Sequence, residues 1–163
     1  MTCVSLPYAD YIYCMCYLGF RLTEFLDLQI KGYNKKERCF VGGVKTEAGK
    51  NRTVTVSPKI QGIVDRLTNK TEGYVFCDQN GNRFNDRAFR EDVFYPTLEA
   101  VGIDNKDHHY TPHSTRHTFA TLMKRVKADK KDKLVLIGHT SEKMLQYYQD
   151  VDYNDLRKIT DKM

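Results

Sequence analysis

Pro112-His113-Ser114-Thr115-Arg116-His117-Thr118-Phe119 decides how this chain is read. At helical spacing, residues i, i+3 and i+4 share one face, so His113, Arg116 and His117 can converge on a single point. Thr111-Pro112 suits the start of a helix, because proline's missing N–H costs nothing in the first turn. A guanidinium beside two imidazoles makes a poor core and a good phosphate cradle, since planar donors match phosphate oxygens. A helix over about residues 113–126 is therefore expected, with phosphoryl chemistry at its start.

His113 and His117 also stand at the spacing of a zinc-binding helix. Ser114 occupies the place of that motif's general-base glutamate and no third ligand is evident, so no metal site is assigned. His108 and His109, in the polar loop just before, are read as solvated and take no role.

The 163 residues fit one domain large enough to bury a real core. Hydrophobic content of 40% and charged content of 29% are ordinary for a soluble fold. A net charge of +5 permits a polyanionic partner without requiring one. The five cysteines (Cys3, Cys14, Cys16, Cys39, Cys77) are odd in number and form no CxxC pair, which points away from a zinc site or disulfide framework. They read as reduced, mostly buried thiols of a cytoplasmic protein. No run of eighteen apolar residues and no basic-then-apolar N-terminus occurs, so neither a membrane span nor a secretory signal is expected.

Outward from the opening stretch, residues 7–30 repeat apolar side chains at helical spacing: Ile12, Cys16, Leu18, Leu22, Phe25, Leu26 and Leu28. Gly19 interrupts them, so two helices meeting at a bend just before Arg21 are expected. Between residues 38 and 57, two β-rich runs flank the polar turn Thr46-Glu47-Ala48-Gly49-Lys50 and predict a hairpin ended by Pro58. Residues 59–67 return to helical periodicity, 74–77 read as extended, and 78–82 as a turn. Residues 85–101 read as a helix that Pro96 kinks or divides. The basic stretch 124–133 includes Lys124 and Arg125, and a solvated helix end accounts for it without nucleic acid. The apolar run 134–137 ends at Gly138-His139, residues 141–149 read as helical, and 153–163 form a mostly polar close. The expected fold is α+β, mainly α: a helical bundle with a small antiparallel sheet or hairpin, one domain over residues 1–163.

Three more groups carry chemistry. Arg21 and Glu24 stand at i, i+3; alone they are a surface ion pair, but Glu24 can also hold Arg21 inward towards a phosphate oxygen. Lys45 at a strand end is ordinarily solvent-exposed. With Lys50 and Arg52 it offers three cations to a DNA backbone, and Lys45 can donate a proton if its pKa is lowered. His139 is followed by Tyr147 and Tyr148; a phenol becomes a nucleophile when cations lower its pKa and a base takes its proton.

In their order and spacing these groups resemble the tyrosine recombinases, also called the phage integrase family. Gly19-Phe20-Arg21-Leu22-Thr23-Glu24 is similar to the family's first-arginine box, and Lys45-Thr46 to its hairpin lysine. His113 to Thr121 resembles its HxxR box, with Thr115 in place of leucine. Ile137-Gly138-His139 resembles its LGH box, and Tyr147-Tyr148-Gln149 its nucleophile segment, although Gln149-Asp150 stand where a small residue and histidine are common. The resemblance covers about residues 7–152.

It implies that Arg21 and Arg116 clamp a scissile phosphate and stabilise its pentacoordinate transition state. His113 and His139 would donate further hydrogen bonds, with His113 accepting the tyrosine proton, and Lys45 would protonate the leaving 5′ oxygen. Glu24 would orient Arg21, His117 would lend structural support, and Lys50, Arg52, Lys124 and Arg125 would meet the DNA. The spacing from His139 selects Tyr148 over Tyr147 for a 3′-phosphotyrosyl link that needs neither ATP nor metal. Double-stranded DNA is the implied partner, with self-association into a tetramer on DNA in a full-length protein. Family members place a helical core-binding domain first; nothing here matches it, so a catalytic-domain fragment is expected, with 153–163 a candidate tail for a neighbouring protomer or a frayed polar end. A type IB topoisomerase-like activity and a non-catalytic DNA-binding remnant are the alternatives to an integrase of a phage or mobile element.

Overall fold

Gly19 ends the first helix, α1 (Ala9–Leu18), in the left-handed conformation at φ 61°, with its N–H bonded to Met15 O at 3.0 Å. Glycine suits that position because a Cβ there is strained. It would also lie 2.2 Å from Phe119 Cδ1, so the missing side chain lets α6 (Pro112–Arg125) press against the end of α1. The chain turns and starts α2 (Leu22–Leu26) immediately after Arg21, where the sequence places the bend. A computed structural model describes residues 6–42, 52–107, 109–138 and 153–163.

The sheet has three antiparallel strands in the order β1 (Tyr33–Asn34), β2 (Cys39–Gly42) and β3 (Arg52–Thr55). Cys39 pairs with Thr55 and Gly42 with Arg52, so β2 and β3 form the two arms of the expected hairpin. The two-residue β1 is an addition that the sequence does not announce. Helix α3 (Pro58–Leu67) begins at Ser57, whose Oγ accepts from Lys59 N, and buries Ile60 and Val64.

Pro96 does not divide the helix over residues 86–100. The chain runs as α4 (Asp86–Ala88), a π-helical segment (Phe89–Phe94) and α5 (Tyr95–Ala100). The Tyr95 N–H bonds to Arg90 O, five residues back. This wider turn shifts the hydrogen-bond register just ahead of Pro96, where an α pattern would lack a donor and crowd the ring.

The core gathers Met15, Leu18, Phe20, Phe25, Phe40, Phe76, Phe89 and Phe119, all fully buried. Phe25 stacks on Phe76 with centroids 3.8 Å apart, and Tyr11 Oη donates to Cys77 O at 3.0 Å. Among the described residues the cysteines are free thiols, and no helix is long and apolar enough to cross a membrane.

Helix α7 (Lys130–Ile137) lies against β3, and so does α8 (Tyr153–Thr160). The closing segment is therefore seated on its own chain. Leu156, Ile159 and Met163 are buried, the Thr55 and Thr160 hydroxyls are 2.9 Å apart, and Lys59 Nζ donates to Met163 O at 2.7 Å. Its buried apolar residues stand at i, i+3 and i+7, a short stripe among mostly polar neighbours.

Gly19→Ala tests the close approach of α1 and α6. Left-handed strain and overpacking against Phe119 together should cost about 3 kcal/mol, read as a lower urea midpoint at unchanged slope. An unshifted midpoint would mean that the Phe119 contact is absent.

Candidate active site

The first turn of α6 is fixed by its own side chains. Ser114 N–H donates to Thr111 O at 2.8 Å, Thr111 N–H donates to Ser114 Oγ at 3.1 Å, and Thr115 Oγ1 donates to Pro112 O at 2.7 Å. These bonds satisfy donors and acceptors that a helix start leaves over. Ser114 and Thr115, two departures from familiar patterns, thus serve the helix cap.

Arg116 points inward from this helix and is 4% exposed. Its Nη1 donates to Gly19 O at 2.5 Å and its Nη2 to Ile137 O. Those carbonyls lie at the C-terminal ends of α1 and α7, where helix dipoles carry partial negative charge. A buried cation needs such partners. Burial, and then the nearby Arg21 charge, pull the Arg116 pKa down while Glu24 works against them.

Arg21 caps α2. Its N–H donates to Glu24 Oε2 at 2.9 Å and its Nη1 to Glu24 Oε1 at 3.1 Å. The Arg21 side chain is 45% exposed against 12% for Glu24, so the carboxylate sits below and the guanidinium faces out. Beside it runs a groove of about 330 Å³ lined by Arg21, Thr23, Arg90, Thr111 and His113, with no carboxylate among the described residues of its wall. Two guanidiniums and an imidazole make this a site for an anion.

His113 titrates below its ordinary value, chiefly through partial burial and then through His117, Arg116 and Arg21. A neutral imidazole at neutral pH can accept a proton. The His113 and His117 rings meet edge to face, 5.0 Å apart. His117 lines a second groove along α6 of about 480 Å³ with Tyr110, Thr121 and Arg125. Lys124 and Arg125 are exposed on the last turn of the same helix. No cluster of three or more metal-ligating side chains occurs among the described residues.

The structure thus brings Arg21, Glu24, His113 and Arg116 together, with His117 at the border. Lys45, Lys50, His139, Tyr147 and Tyr148 lie outside the described residues. Arg52 departs from the expected DNA contact: its side chain is 2% exposed and turned into the protein. Its guanidinium stands 4.2 Å from the Phe20 ring centroid and donates through Nη1 to Ile137 O at 2.9 Å. Every residue of β3 is buried, and a cation in a polar turn sequence gives no local sign of that. Arg90 escapes the sequence reading because the π segment changes which side chains share a face.

A family model described as the phage integrase family matches residues 2–155. The chain belongs to the phage integrase family. Among curated members, tyrosine recombinase XerC of Pelobacter propionicus is 30% identical over 152 residues, covering 88% of this chain and 47% of the relative. XerC of Haemophilus influenzae (strain PittEE) is 30% identical over 151 residues, covering 88% and 49%. The chain spans about half the length of the curated relatives it matches. Two solved structures share the fold. XerA recombinase superposes with a TM-score of 0.63 at 24% identity over 91% of this chain and 55% of its own. The Tn1549 transposon integrase in complex with circular intermediate DNA gives a TM-score of 0.63 at 21% identity over 92% and 56%. The described site residues of this phage integrase family member all fall within the matched span.

If Arg21 faces His113 across the groove, removing its charge favours the imidazolium. Arg21→Gln should therefore raise the His113 pKa in an NMR titration of the ring protons. An unchanged value would place Arg21 elsewhere.

Proposed function

We propose that this domain cleaves and rejoins double-stranded DNA through a tyrosine, as the catalytic part of a site-specific recombinase of a phage or mobile element. The supporting observation is the pairing of a buried and a half-exposed arginine beside a groove whose described lining carries no carboxylate. Arg116 spends two of its five donors on helix-end carbonyls, which fixes its plane, and Arg21 is fixed by Glu24. Donors held in advance stabilise charge that develops on the equatorial oxygens of a phosphorane without reorganising during the reaction.

In this reading the Tyr148 phenol oxygen attacks phosphorus, forming the 3′-phosphotyrosyl bond as the P–O5′ bond breaks. The phenol proton passes to His113, and Lys45 gives a proton to the departing 5′ oxygen. His139 donates to the same phosphate. A 5′-hydroxyl from a second strand reverses the sequence, so the phosphodiester energy is conserved and neither ATP nor metal is consumed. Lys50, Lys124 and Arg125 contact the DNA backbone, and the working assembly is a tetramer on DNA that uses further polypeptide ahead of this domain.

Nicked suicide duplexes, drawn from DNA flanking the gene, test this by losing the cleaved 5′ fragment. Covalent adduct should form, vanish in Tyr148→Phe and persist in Tyr147→Phe, while Arg116→Ala slows its formation by about 10²–10³-fold. Because His113 must be neutral to act, the rate should hold as pH falls through about 6.5 and decline only below it. Absence of adduct with every duplex, even with a preceding domain supplied, would leave a DNA-binding module without this chemistry.

A further inference from the structure

Arg52 touches several parts of the molecule from one buried position. It opens β3, paired with Gly42, and follows directly on the hairpin sequence that carries Lys45. Its guanidinium packs on Phe20, the residue before Arg21. Its Nη1 bonds the Ile137 carbonyl, which also accepts from Arg116. Its Nη2 stands 3.9 Å from Glu24 Oε2, the oxygen that accepts the Arg21 N–H.

Across from it is Gly138, at φ 67°. A Cβ on Gly138 would fall 2.7 Å from Arg52 Cδ and 2.8 Å from its Nη1. Glycine is thus needed there twice, for the left-handed backbone and for room beside the arginine. A buried cation is an expensive way to fill a core, since an apolar side chain of similar volume often serves stability as well or better. What the apolar side chain lacks is directed donors.

We propose that Arg52 is a positioning residue of the phosphoryl-transfer site. With Arg116 it grips the Ile137 carbonyl from two sides and fixes how the chain leaves α7 at Gly138. It thereby sets the plane of Arg116 through their shared acceptor, and it reaches Arg21 through Glu24, the carboxylate that holds Arg21. The proposal deepens the catalytic reading above and rests on it.

Arg52→Met keeps the buried volume and removes the donors; Arg52→Lys keeps the stem and charge but loses the fork. One readout needs no DNA: in imidazole NMR of the full chain, both variants should shift the resonances of His113, which lies in the field of Arg116 and Arg21, and leave exposed His109 where it is. The second is single-turnover cleavage of a suicide duplex at saturating protein. The rate constant should fall by about 10- to 100-fold while affinity for the uncleaved duplex stays at the wild-type value. Unmoved His113 resonances in folded Arg52→Met, or a wild-type rate constant with weakened DNA binding, would overturn the assignment. If Arg52→Met does not fold, Arg52→Lys carries both readouts. If the wild type forms no adduct, the catalytic reading fails while the histidine spectra still decide the position of Arg52.

Discussion

The Ile137 carbonyl, held at once by Arg52 and Arg116, ties the site together. A guanidinium taken almost out of water must find negative partners, and the chain supplies them from helix ends rather than carboxylates. Arg116 reaches 97 residues back to Gly19 O and 21 residues on to Ile137 O, which obliges α1, α6 and α7 to meet at one corner. Gly19 and Gly138 follow from the same demand. Each ends a helix in a left-handed turn, and each has a neighbouring side chain where a Cβ would stand.

Charge around that corner is deliberately unbalanced. Glu24 faces both Arg21 and Arg52, and its field reaches Arg116. One carboxylate among three guanidiniums leaves positive potential to spare, and it opens where Arg21 is half exposed. Partial burial first, and then His117, Arg116 and Arg21, pull the His113 pKa below its ordinary value. An anion in that groove would therefore complete the local electrostatics beside an imidazole able to accept a proton.

Much of this was legible in the sequence, and the boundary is physical. The α6 helix, the break at Gly19 and the hairpin arms depend on local signals, namely 3.6-residue periodicity, glycine and alternation. The Arg21 and Arg116 boxes were readable for the same reason, as short runs with fixed spacing. Arg52 was not, because its burial depends on an acceptor 85 residues away and on a ring and carboxylate from another element. Strand β1 exists only because β2 is there to pair with it. Pro96 misleads, since the register shift that accommodates it arises in the preceding turn rather than at the proline.

The seating of α8 beside α7 has one more consequence. Both helices rest on β3 and on each other, so residues 130–137 and 153–160 bury that strand together. The strand they cover carries Arg52 at its start, so the wall behind the buried guanidinium is built from two separate stretches of chain. Loosening either helix would thus be felt at the Ile137 carbonyl that closes α7, the acceptor that Arg52 and Arg116 share.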